Sequence, residues 1–120
     1  MAEQIILNTD LYDNLLTERK GDYTAKPRIT GTLYNTDIAA RIVAARTEYQ
    51  HGTILNILDM ADSHKVQAIA EGKSVVDGVG QYLVNVQGAF EGEKAQFEPG
   101  KHALGITYTM GKLLRETLKL

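Results

Sequence analysis

The sequence predicts a single α+β domain whose elements run β-extension, α, α, β, β, β, α. Three observations carry that reading. Apolar residues recur at helical spacing from Ile38 to Ile69. They alternate with polar residues from Tyr82 to Gln87, the period of a strand. Residues 1–35 are rich in Thr, Tyr and Ile and read as extended. With 120 residues, 43% of them apolar, the chain has material for one packed core.

Within the extension, Gln4-Ile5-Ile6-Leu7 is a short strand candidate, and Tyr12 to Lys20 is polar and turn-like. Asp22 to Tyr34 contains Pro27, which cannot donate to a ladder and so marks an edge strand. The segment is expected to be ordered and to add strand pairing to the core. Asn35-Thr36-Asp37 offers capping side chains for a first helix with Ile38, Ile42 and Val43 on one face, ending near Arg46. A second helix, from about His51 to Glu71, carries the stripe Ile54, Ile57, Leu58, Ala61, Ala68 and Ile69, and Gly72 stops it. Tyr82, Val84 and Val86 define a strand after Gly78-Val79-Gly80. Ile106-Thr107-Tyr108 returns, and Thr109 caps a last helix over Lys112–Lys119.

Composition limits the functions available. Thirteen Lys+Arg against fifteen Asp+Glu leave a formal charge of −2, a weak footprint for a nucleic-acid binder. The absence of cysteine excludes disulfide scaffolds and thiolate metal sites. Met1 to Asn8 has no basic region followed by a long apolar stretch, and no segment approaches the ~20 apolar residues of a membrane span. A soluble, cytoplasmic protein is the expectation.

Four features in order make residues 36–120 resemble the HU and integration-host-factor family of bacterial nucleoid proteins. They are the helix pair; Glu71-Gly72-Lys73-Ser74-Val75 leading into a strand; Gly78-Val79-Gly80-Gln81-Tyr82, similar to the family's Gly-Phe-Gly-Asn-Phe turn; and Met110-Gly111-Lys112-Leu113-Leu114-Arg115, similar to the Pro-Gly-Lys motif that opens the family's final helix. The resemblance implies a helical hairpin, a three-stranded sheet with a β-ribbon arm between Tyr82 and Met110, and a closing helix. It also implies an intertwined homodimer gripping duplex DNA. Residues 1–35 lie outside the classical domain and look like the extension of a divergent HU-like branch, packed on the core of the 36–120 domain.

The arm departs from the family pattern. Family arms are rich in Arg and Lys and end in an Arg-Asn-Pro tip whose proline wedges between base steps. Residues 85–107 hold Lys94 and Lys101 against Glu91, Glu93 and Glu98, a net of −1, and the lone proline is Pro99. The basic residues left for phosphate contact are Lys94 and Lys101 on the arm, Lys112, Arg115 and Lys119 on the closing helix, and Lys73 before the first sheet strand. A solvated helix face is the plainer account of Lys112, Arg115 and Lys119.

Other motifs dissolve on inspection. Gly72-Lys73-Ser74 lacks the preceding glycine of a phosphate loop, because Gln67 stands there, and the triplet ends a helix. Gly78-Val79-Gly80 lacks the third glycine and the helix of a dinucleotide fingerprint. His51, His64 and His102 have no partner at helical metal spacing, and His64 reads as a half-buried, hydrogen-bonded residue of the second helix. No catalytic arrangement is evident, so neither enzyme activity nor a cofactor is expected. Two functions remain: a dimeric architectural DNA-binding protein acting through backbone contacts, and a protein-interaction or assembly module that keeps the fold but has lost the charge.

Overall fold

A computed structural model describes residues 5–13 and 21–119. Its elements are β1 (Thr9–Asp13), β2 (Tyr23–Pro27), α1 (Asn35–Ala44), α2 (His51–Ala70), β3 (Val75–Val76), β4 (Gly80–Gln87), β5 (Ala103–Met110) and α3 (Lys112–Leu118). The expected order of elements is present. Among the described residues no helix is long and apolar enough to cross a membrane.

The helices are joined by polar ties as well as by packing. The α1 backbone begins after Tyr34, whose N–H donates to the Asp37 carboxylate at 2.9 Å. Asn35, expected as a cap, lies inside the helix. Its amide donates to Asp59 at 2.9 Å and Asp62 at 2.6 Å, pinning the start of α1 to the middle of α2. His51 Nε2 makes a second tie, to the Thr36 carbonyl at 2.8 Å. Helix α1 ends at Ala44, two residues short of the expected Arg46, which takes a left-handed φ of 67° in the turn. The α2 stripe buries Ile54 and half-buries Leu58, Ala61, Ala68 and Ile69, while Ile57 is exposed. His64 is exposed as well, which corrects the expectation of a half-buried histidine.

The core sheet is antiparallel in the order β3-β4-β5. Its register pairs Tyr82 with Tyr108, Val84 with Ile106 and Val86 with Leu104 on one face, and Gln81 with Thr109, Leu83 with Thr107 and Asn85 with Gly105 on the other. Period-two alternation therefore makes a two-faced ribbon, apolar on one side and largely polar and uncharged on the other. Helix α2 packs on β3 and β4. Thr109 belongs to β5, so it cannot cap the last helix. Gly111 occupies that position, and α3 ends at Leu118 with Lys119 in extended backbone.

The extension differs from expectation in two ways. Residues 5–8 are not a strand, and Gln4 lies outside the described residues; the strand begins at Thr9. β1 and β2 pair with each other, from Thr9 opposite Pro27 to Asp13 opposite Tyr23, and add no strand to the core sheet. Pro27 sits at the end of β2, where a missing N–H costs least.

Asp77 joins α2 to the sheet. One carboxylate oxygen accepts the backbone N–H groups of Val79 and Gly80, both at 2.9 Å, and the other meets Lys65 Nζ at 3.0 Å. These contacts hold the Asp77 carboxyl below its ordinary range, the Gly80 N–H contributing most and Lys65 next. The Asp77 hydrogen bond in turn raises Lys65. A depressed carboxyl stabilises the fold above its unfolded pKa and loses that contribution as pH falls through the folded value, here below about 3.8. The raised lysine contributes below 10.5 and loses its share as pH climbs beyond it. Asp77→Ala is expected to cost about 2–3 kcal/mol, the usual range for lost hydrogen bonds to a charged group. The difference between the urea midpoints of parent and variant should be largest near pH 7 and shrink as pH falls below about 3.8.

One chain does not close its own core. Among the described residues the buried apolar side chains are Ala39 and Ile54. The chain exposes 10746 Å², against about 6,400 Å² for a compact monomer of its 13.2 kDa. Its radius of gyration is 20.3 Å, where about 14 Å is typical of a domain of this length.

Candidate nucleic-acid interface

The corner where β4, β5 and α3 meet is built by close backbone approach. The Gly111 N–H donates to the Val79 carbonyl at 2.9 Å, and the Leu114 N–H to the Gly78 carbonyl at 3.3 Å. The Tyr108 hydroxyl donates to the Val79 carbonyl at 2.7 Å. A Cβ on Gly80 would enter the Tyr108 ring, and one on Gly111 would stand 2.8 Å from the Gly78 oxygen and the Gly80 nitrogen. Both positions thus require glycine on steric grounds. Tyr82 lies against Tyr108, ring centroids 5.4 Å apart, and burial pushes the Tyr82 hydroxyl pKa up. The Gly-x-Gly and Gly-Lys motifs, 30 residues apart, are two halves of one joint.

That joint places the closing-helix cations. Lys112 and Arg115 are exposed on the first turns of α3 and border an open depression of about 560 Å³ shared with Asp77 and Glu116. The Arg115 guanidinium also donates to the Met110 carbonyl at 3.1 Å, which steadies its stem. Lys119 follows as the C-cap residue. Lys73 precedes β3 beside the lower half of β4, its ammonium 3.4 Å from Glu71. Lys94 and Lys101 are elsewhere. They lie in the arm tip, residues 88–102, beyond two eight-residue strands that span roughly 25 Å. Lys101 sits 3.7 Å from Glu98. The six candidate cations therefore form two groups, one at the base and one at the tip. The polar ribbon face between them carries Gln81, Asn85 and Gln87 and no charge.

The arm tip holds a feature that sequence reasoning missed. His102 is 6% exposed. Its Nδ1 accepts the Glu98 N–H at 2.8 Å, which leaves Nε2 to donate to the Ala89 carbonyl, also at 2.8 Å. Phe90 stacks on the ring at 3.8 Å, with 3° between planes, and Phe97 leans on it at 5.6 Å. The tip is a folded knob around a histidine, with Glu91, Glu93, Lys94, Glu98 and Lys101 on its outside. No local motif announces such a cluster, because its three rings lie 7 and 5 positions apart in a segment without periodicity. His102→Ala removes two hydrogen bonds and a ring stack, together about 2–3 kcal/mol. Hydrogen exchange across 88–102 is expected to accelerate at least tenfold in the variant, with the helices unaffected.

A family model for the HU DNA-binding domain matches residues 6–119. The chain belongs to that family. Its members are architectural DNA-binding domains, not enzymes. The HU domain here includes β1 and β2 within the matched range. Among solved structures, a proposed DNA-binding protein of Bacteroides vulgatus is similar at 19% identity and a TM-score of 0.77, over 93% of this chain and 44% of its own. HU of Anabaena, solved with DNA, is similar at 19% identity and a TM-score of 0.54, over 72% of this chain and 97% of its own. Comparison with curated proteins yields no match. This HU domain spans less than half of the Bacteroides protein. The Anabaena coverage equals roughly the share of residues 35–119, whereas 93% is reached only with the N-terminal hairpin.

Proposed function

We propose that the protein is a homodimeric architectural DNA-binding protein that holds duplex DNA through backbone contacts without reading sequence. Membership of the HU DNA-binding family carries the DNA reading. The excess surface carries the dimer: a chain with two buried apolar residues among those described needs a partner across its helix faces, and obligate interfaces are large and apolar. Phosphates meet Lys73, Lys112, Arg115 and Lys119 at the base and Lys94 and Lys101 at the tip, and the neutral ribbon face supplies hydrogen-bond donors between them. Such a protein works on the nucleoid. Light scattering at micromolar concentration is expected to give about 26 kDa, twice the chain mass; a 13.2 kDa species would overturn the dimer. Titration of duplex DNA at two salt concentrations tests the binding, and no binding at ~50 mM salt, where phosphate contacts are strongest, would overturn it.

One observation favours a second reading, a protein-assembly module on the same fold. The arm tip is acidic, its lysines are flanked by glutamates, and its core is already filled by Phe90, Phe97 and His102. This reading takes over if DNA does not bind.

A further inference from the structure

We propose that the β1–β2 hairpin is a docking arm that packs its Leu11, Tyr23 and Ala25 face onto the outer apolar face of the β4–β5 ribbon of a second copy of the chain. The inference rests on the dimer reading above.

The hairpin has two unlike faces. The register puts Asp10, Lys26, Tyr12 and Thr24 on one side. That side satisfies itself, for Asp10 is bonded by Arg28 and the Lys26 ammonium lies 5.2 Å over the Tyr12 ring. Leu11, Ala25 and Tyr23 lie on the other side together with Thr9, Pro27 and, at its outer end, Asp13; Leu11 is 67% and Tyr23 59% exposed. A lone two-stranded hairpin is marginal in water, so this one needs a surface. Its strands pack mainly on each other and share no strand with the core sheet. Residues 28–34 connect the hairpin to α1 and reach up to about 24 Å, carrying exposed Ile29 and Leu33.

The matching surface is on the ribbon. Helix α2 covers the Tyr82 end of its apolar face, but Val86, Leu104 and Ile106 further out are uncovered, Leu104 at 65%. A pleated apolar face is the natural seat for another, packed about 10 Å apart. The exposed α2 residues Ile57, Met60 and Val66 suit a helical partner, which leaves the outer ribbon for the hairpin. The surface in excess of a compact monomer, some 4,000 Å² per chain, leaves room for such a contact beside the helix faces. The Bacteroides likeness extends over the hairpin as well.

The chain has no cysteine, so Leu11→Cys and, separately, Thr9→Cys on the same hairpin face each introduce a unique thiol. Either is labelled with benzophenone maleimide, mixed with isotope-labelled parent and irradiated. A covalent species of about 26 kDa, with the adduct on residues 80–87 or 103–110 of the isotope-labelled chain, is the expected result. Leu104→Arg in the acceptor should cut the yield at least tenfold while light scattering still reports a dimer. Adducts confined to the labelled chain itself, or no adduct in a protein that is still dimeric, overturn the docking arm and leave the dimer standing. A monomer throughout overturns both.

Discussion

Ile54→Asp is expected to leave the protein unfolded at 25 °C. Ile54 is 7% exposed and is one of two buried apolar residues among those described. Removing a buried isoleucine costs about 2–5 kcal/mol in lost transfer energy and cavity formation. Placing an unpaired carboxylate there adds a desolvation penalty of several kcal/mol more. A domain of this size holds only about 5–15 kcal/mol in total, so the sum reaches the whole of it. The helical circular dichroism signal should vanish at every protein concentration. Ile54→Val, costing about 1 kcal/mol, is the control that keeps the fold. Ile57→Asp makes the contrast. Ile57 is exposed in the single chain, so its variant should act through the partner interface, losing the 26 kDa species at micromolar concentration and regaining helical signal as protein concentration rises.

The second large effect concerns DNA. Changing Lys112, Arg115 and Lys119 together to Ala should weaken binding to all duplex sequences alike, by a hundredfold or more at ~50 mM salt. Residues 36–120 hold nine Lys+Arg against ten Asp+Glu, which limits the parent to about three to five phosphate contacts per protomer. Each neutralised phosphate adds about −0.9 to the slope of log K against log salt. The parent dimer should therefore show a slope between about −5 and −9, and the triple variant one smaller in magnitude by about 5. Undiminished affinity in the variant would show that the α3 surface does not meet DNA. Glu91, Glu93 and Glu98 changed to Gln provide the opposite test. If the tip approaches the backbone, removing its carboxylates should strengthen binding and steepen the slope.

The elements were legible wherever side-chain period follows backbone hydrogen bonding. The α2 stripe and the Tyr82-Val84-Val86 alternation are of this kind, and both stand in the structure within a residue or two. Element ends were less legible, because several side chains compete for one role. Thr109 is a good capping residue by type, but the β5 ladder takes it and Gly111 serves instead. Asn35 is a good cap by type, but two aspartates on α2 claim its amide. The N-terminal strand begins at Thr9 and not near Gln4, since Leu11, Ala25 and Tyr23, not the Ile5-Ile6-Leu7 run, share the face of a paired ladder.

Local sequence, then, decided the order of elements, the two-faced ribbon, the Gly78-Val79-Gly80 and Gly111-Lys112 motifs, and the sparse charge available for phosphates. Each of these depends on backbone geometry or on a count of ionised groups, and both can be read a few residues at a time. Tertiary structure alone decided that Asp77 ties Lys65 to the sheet corner and that His102 anchors a knob with Phe90 and Phe97. It alone decided that β1 and β2 pair apart from the core sheet. These are contacts between residues distant in the chain. Their formation depends on which faces meet once loops have closed, a cost that grows slowly with loop length and leaves no periodic trace in the sequence.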